Sequence, residues 1–246
     1  MKEIIVTGAC GGLGRAIIER LLFEGYGIWA VDTKLEKIEN CFTRLNCENL
    51  HKYACDLSQE SELVTLIKTI IKQTGPIGGL IHCAGISRFI PIHLIKQKQI
   101  EEIFNIHVYA AISLCSLLSK KGNASEGCSI VLLSSVAAHE GSSGNSVYAS
   151  AKAALEGFVH SSAHDFVDRG IRINVIVPGD IDAGMFHSFI SRLSEEQTAE
   201  RKKKYPLGFG SSTNIADIVE FFISDKASWI TGQCYVIDGG HSVQRV

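Results

Sequence analysis

The sequence predicts a doubly wound α/β fold, one seven-stranded parallel sheet with helices on both faces. Short apolar runs alternate with longer segments of helical period, and a glycine-rich turn directly follows the first run. Runs such as IVLLSS and INVIV are apolar without interruption. Strands of that kind have no solvent side, which places them in a parallel sheet covered twice.

The runs begin at Glu3 to Thr7, Ile28 to Asp32, Leu50 to Asp56, Gly79 to Cys83, Ser129 to Ser135 and Arg172 to Pro178, and a seventh, Cys234 to Ile237, lies between TGQ and DGG. Between them RAIIERLLFEG is amphipathic, and Ile100 to Lys121 and Ala149 to Arg169 are helices apolar on more than one face, which suits packing between subunits. Gly184 to Pro206 is polar, mixed in charge and weakly periodic. It reads as a substrate-binding lid over the carboxyl edge of the sheet, where ligands of such folds bind. No repeat, low-complexity tract or linker divides the chain, so residues 1–246 are expected to form a single domain.

The 246 residues carry 24 Lys and Arg against 26 Asp and Glu, a formal charge of −2, which gives no bulk attraction to nucleic acid or an anionic membrane. Eight cysteines are scattered without a C-x-x-C pair or metal-ligand spacing and read as reduced, mostly buried thiols; no metal is expected. The apolar run before the first glycines is too short for a signal peptide, and no uninterrupted run of about 18 apolar residues is present. A cytoplasmic protein is expected.

In TGACGGLG, the glycines Gly8, Gly11, Gly12 and Gly14, with Leu13, sit between a strand and a helix. Glycines there let backbone approach a pyrophosphate, whose charge rests on the free N–H groups of the helix start. Asp32 ends the second strand 18 residues beyond Gly14, where a carboxylate accepts hydrogen bonds from ribose hydroxyls and repels a 2′-phosphate. Neither Gly11 nor Thr33 offers a basic side chain, so NAD(H) is favoured, with Arg15 and Lys34 keeping NADP(H) possible.

Tyr148 and Lys152 are four apart in a helical segment and so share a face, and Ser135 ends a strand 13 residues before Tyr148. Lowering a phenol of pKa about 10 by about three units takes roughly 4 kcal/mol of phenolate stabilisation. A neighbouring ammonium can supply much of it. Ser135 can hydrogen-bond a reacting carbonyl or alkoxide while Tyr148 passes a proton and a nicotinamide passes hydride.

These motifs, with Cys55-Asp56-Leu57, Cys83-Ala84-Gly85, FNIH, VPGDIDA and TGQCYVIDGG, resemble the short-chain dehydrogenase/reductase superfamily nearly end to end, in its compact Rossmann-fold branch and with 3-oxoacyl-ACP reductase-like character. The resemblance implies that Asp56 and Leu57 lie against adenine and that Asn105 holds a water linking Lys152 to solvent. It also implies that Lys152 holds the nicotinamide ribose, that Pro178 to Ala183, with Gly179 and Ile181, meets the nicotinamide amide, and that the subunits form a homotetramer or dimer.

Three positions depart from the pattern. Cys83 replaces an asparagine whose amide braces the backbone, so a cost in stability is expected. Ala183 replaces a threonine, which removes one hydroxyl contact to the cofactor. Asp180 is an added charge that favours the oxidised cofactor, contacts a polar substrate, or is a surface loop acid. Outside the motifs, His160 and His164 have metal-ligand spacing but no third ligand, and read as a solvated or interface face. The RKKK cluster at 201–204 reads as a solvated helix end, or receives anionic substrate groups, while Lys120, Lys121 and Arg169 could meet an acidic carrier protein.

The expected activity is NAD(H)-dependent interconversion of a secondary alcohol and a ketone, acting on a small-molecule substrate. The rivals are an NADPH-dependent 3-oxoacyl-ACP reductase and a dinucleotide sensor without turnover.

Overall fold

The strands β1 (Glu3–Thr7), β2 (Gly27–Asp32), β3 (Leu50–Ala54), β4 (Ile77–His82), β5 (Ala124–Leu133), β6 (Arg172–Pro178) and β7 (Cys234–Ile237) form one sheet in the order β3-β2-β1-β4-β5-β6-β7. Every pairing is parallel. This computed structural model describes residues 1–45, 47–191 and 193–243.

Because successive side chains of a strand point to opposite faces, each inner strand feeds two cores. Ile4 and Val6 of β1 pack on one face and Ile5 on the other; in β5, Val131 and Leu133 join the first set and Ile130 and Leu132 the second. The first face is covered by α1 (Gly12–Phe23), α2 (Leu35–Cys41) and α9 (Ser212–Ile223), the second by α3 (Glu60–Thr74), α5 (Ala110–Leu118) and α6 (Ser146–Val167). The apolar spacing decides which face each helix buries. In α3 the buried residues are Leu63, Leu66, Ile67 and Ile70, one stripe of a 3.6-residue period. Each such side chain contributes about 1.5–3 kcal/mol by leaving water.

The structure departs from the sequence expectations at several places: β3 ends at Ala54, β4 runs Ile77–His82, and β5 runs Ala124–Leu133, so that Ser135 lies just beyond its strand instead of ending it. The helix expected over Ile100 to Lys121 is three pieces: α4 (Gln97–Phe104), a π-turn at Asn105–Tyr109, and α5. The whole run Gln97–Leu118 is long and apolar enough to cross a membrane by length and composition, but its α5 side chains Leu114, Cys115 and Leu118 are fully buried in the second core. The segment from 184 to 206 contains two helices, α7 (Met185–Ile190) and α8 (Glu195–Lys203); Arg192 within it lies outside the described residues.

The strand order reverses direction between β1 and β4. The crevice at their carboxyl ends is where an open sheet of this topology receives a ligand.

Candidate active site

A cavity of about 850 Å³ opens at that crevice. Gly8, Gly11, Gly12, Leu13, Gly14 and Asp32 wall one end; Cys55, Asp56, Leu57, Cys83, Ala84 and Gly85 form its middle; Ser135, Tyr148, Pro178, Gly179, Asp180, Ile181 and Ala183 close the other. The separate sequence motifs thus converge on one space. Lys152 and Asn105 do not wall it.

The glycine turn is shaped by close approach. A Cβ on Gly14 would lie 2.3 Å from the Gly8 carbonyl oxygen, and one on Gly8, at φ +67°, would meet Ala84 backbone at 2.7 Å. Gly11 leads into α1 in extended conformation and no described side chain caps that helix. The first-turn N–H groups have no helical acceptor, and Gly12, Leu13 and Gly14 that carry them line the cavity, so the turn suits the pyrophosphate of a dinucleotide.

Asp32 is buried and well supplied with donors. Its Oδ2 accepts the Cys10 N–H at 3.0 Å, and its Oδ1 accepts the Thr33 N–H at 2.9 Å and the Lys37 ammonium at 2.8 Å. Burial raises this carboxyl's pKa, but the Lys37 and backbone hydrogen bonds outweigh it and hold the group below its ordinary range. Asp32 is therefore an anion with a built-in counterion.

At the other end, Ser135 and Tyr148 stand together in the cavity wall, where the Ser135 side chain draws the phenol's pKa down, and Ser135 Oγ accepts the Ala137 N–H at 3.2 Å. One helical turn on, Lys152 Nζ donates to the Leu133 carbonyl at 2.6 Å and lies 5.5 Å from the Tyr148 ring centre. The expected lowering of the phenol is not what the protein by itself provides. Burial pushes Tyr148 up to about 12, against a smaller downward pull from Ser135. Burial likewise pushes the Lys152 ammonium down to about 8. Desolvation disfavours both charged forms, and here it wins.

Two buried histidines brace the site, and sequence reasoning passed over both. His82 Nδ1 lies 2.9 Å from the Thr7 hydroxyl, and its Nε2 lies 3.0 Å from the carbonyl of Ile106 in the π-turn. A carbonyl only accepts, so Nε2 carries the proton and Nδ1 accepts from Thr7. Burial, then the Lys152 charge, pushes His82 down to about 4, which keeps it neutral. His107 Nε2 sits 2.9 Å from the carbonyl and 3.0 Å from the N–H of Ile86, and its ring meets Tyr148 edge-on. The signal was in IHCAG and FNIH, where a histidine directly precedes or closely follows a motif residue.

Asp180 is not a surface loop acid. It makes a two-point ion pair with Arg201 of α8, with Oδ1 2.9 Å from Nη2 and Oδ2 in closer contact with Nε. Nor is the RKKK cluster wholly a solvated helix end, since Arg201 and Lys204 both wall the cavity beside Phe186 and Phe189. His160 meets Cys234 Sγ at 3.4 Å, and among the described residues no group of three or more His, Cys, Asp or Glu could hold a metal.

A family model described as Enoyl-(Acyl carrier protein) reductase matches residues 8–242. The chain belongs to the short-chain dehydrogenase/reductase superfamily. As a short-chain dehydrogenase/reductase it is an NAD(P)(H)-dependent oxidoreductase acting on CH–OH groups of small molecules. It is 31% identical over 240 residues to carbonyl reductase family member 4 of Xenopus laevis, covering 97% of each chain. It is 30% identical over 244 residues to the 3-oxoacyl-[acyl-carrier-protein] reductase FabG of Staphylococcus aureus, again covering 97% of each. Among solved structures, 4-hydroxyisoleucine dehydrogenase complexed with NADH superposes with a TM-score of 0.89 at 25% identity, covering all of both chains. A short-chain type dehydrogenase/reductase from Mycobacterium ulcerans shares the fold, with a TM-score of 0.91 at 23% identity over 99% of this chain and 90% of that one.

Proposed function

We propose that this short-chain dehydrogenase/reductase interconverts a secondary alcohol and a ketone with NAD(H), and that Tyr148 handles the proton. The observation that carries the reading is the placement of Tyr148 beside Ser135 in the cavity wall, with Lys152 one turn behind and 5.5 Å from the phenol ring. The glycine turn and helix start hold the pyrophosphate, Asp32 the adenosine ribose, Asp56 and Leu57 the adenine, and residues from Pro178 to Ile181 the nicotinamide end. When bound, the reduced nicotinamide supplies the hydride.

Ser135 donates a hydrogen bond to the carbonyl oxygen of the substrate, drawing electron density from the carbon that is reduced. Tyr148 is protonated at neutral pH, the form required to give its phenolic proton to the alkoxide oxygen as that charge develops. Lys152 stands ready to stabilise the phenolate left behind, and Asn105, at the opening of the π-turn, anchors the path by which the proton is replaced. We assign the segment from 184 to 206 as the cover of the substrate end. It places Phe186, Phe189, Arg201 and Lys204 on that wall, and the Arg201–Asp180 pair ties it to the loop after β6.

One observation favours a second reading, the reduction of a 3-oxoacyl thioester with NADPH: the chain's identity to the FabG reductase of Staphylococcus aureus runs along nearly its whole length. Nicotinamide absorbance with NADH and NADPH against simple ketones, ketosugars and a β-ketoacyl thioester separates the two. Turnover of a plain ketone with NADH supports the first, and thioester reduction confined to NADPH replaces it with the second.

A further inference from the structure

The corner of the cavity at the end of β2 carries two charges, where the sequence shows one motif residue. Asp32 and Lys37 both wall it, 2.8 Å apart, and they differ in freedom. The Asp32 side chain is 7% exposed and fixed by the N–H groups of Cys10 and Thr33, while Lys37 is 53% exposed. An ammonium has three N–H donors, and Asp32 takes one. The two cations that the sequence offered for a 2′-phosphate do not wall the cavity: Arg15 pairs with Glu19 at 2.8 Å, and Lys34 is exposed at the start of α2.

We infer that Lys37 sets the cofactor selectivity of this site, cancelling the charge of Asp32 and receiving a 2′-phosphate, so that the chain takes NADP(H) as well as NAD(H). The inference rests on the reading of the cavity as a dinucleotide site. With NAD(H), Lys37 stays on Oδ1 and Asp32 accepts the ribose hydroxyl. With NADP(H), the half-exposed lysine pivots to the phosphate, and Asp32 keeps its place because two backbone donors hold it. A bare carboxylate would oppose the phosphate by like charge; the pair presents no net charge before the ligand arrives.

The experiment is a calorimetric titration of 2′,5′-ADP and of 5′-AMP, with NADPH and NADH followed by fluorescence, into the wild type, Lys37→Met and Lys37→Arg. No substrate is needed. We expect Lys37→Met to weaken 2′,5′-ADP and NADPH roughly tenfold or more, as loss of one charge-assisted phosphate contact does, and to leave 5′-AMP and NADH within about threefold. Lys37→Arg restores the difference. The lysine-dependent part shrinks as ionic strength rises, because the contact is partly exposed.

Equal weakening of all four ligands, or none, overturns the role of Lys37, as does a wild type that binds 5′-AMP but not 2′,5′-ADP. A wild type that binds neither adenosine probe nor either dinucleotide overturns the dinucleotide reading itself.

Discussion

The His107 imidazole stands perpendicular to the Tyr148 ring, with their centroids 5.3 Å apart. An edge-to-face contact of this kind fixes the plane of the phenol, and the clasp of His107 on Ile86 fixes the imidazole in turn. His107→Ala removes both. It is expected to lower unfolding stability by about 2–4 kcal/mol, from the cavity and the Ile86 backbone group left without a partner. Chemical denaturation checks this; a loss below about 0.5 kcal/mol counts against the bracing role.

Acid should destabilise the protein through His82. Its unfolded pKa is near 6.5 and its folded pKa about 4, so between those values the unfolded chain binds a proton that the folded chain does not. The His82 contribution is full above pH 6.5 and is lost as pH falls toward 4, by up to about 1.4 kcal/mol per pH unit for each such histidine. His107, also pushed well down by burial, adds to the slope. Urea midpoints across that range in wild type and His82→Asn test it. The variant is less stable overall but shows a shallower slope, and an identical slope removes His82 from the account.

Gly14→Ala places a methyl 2.3 Å from the Gly8 oxygen, which the turn cannot absorb without shifting backbone. Fluorescence titration with NADH should show binding lost or weakened by at least about tenfold, since the turn that receives the pyrophosphate is displaced. Unchanged affinity contradicts the assignment of that turn.

The Asp180–Arg201 pair is partly buried, so its coupling should fall between those of exposed and buried pairs, about 1–2 kcal/mol in a double-mutant cycle with Asp180→Ala and Arg201→Ala. Thermal or urea unfolding of the four proteins gives it. A value near zero detaches α8 from the loop after β6.

Much of this architecture was legible in the sequence because the strands of a covered parallel sheet read as short apolar runs, even where their ends shift by a few residues as in β4 and β5. β1, β6 and β7 have the bounds expected of them, as their runs end abruptly at glycines, prolines or charges. β3 is shorter than expected, ending at Ala54. Periodicity could not show the π-turn at Asn105, since widening one turn leaves the apolar pattern almost unchanged. The cavity walls carried by glycines and by Ser135 and Tyr148 were readable from spacing. His82, His107 and Arg201 were not, because each acquires its role from a partner distant in sequence that the folded chain brings near, Thr7, Tyr148 and Asp180 respectively, while Lys37 lies only five residues from Asp32 but outside every motif.

The central claim is that Tyr148 transfers the proton, and Tyr148→Phe tests it with least disturbance because the ring that packs on His107 stays. NADH-dependent reduction of the best ketone from the panel should fall by about 10³-fold or more, while NADH affinity by fluorescence stays within about twofold of wild type. Turnover retained within about tenfold, with cofactor binding intact, would contradict the account and move the proton donor elsewhere in the cavity.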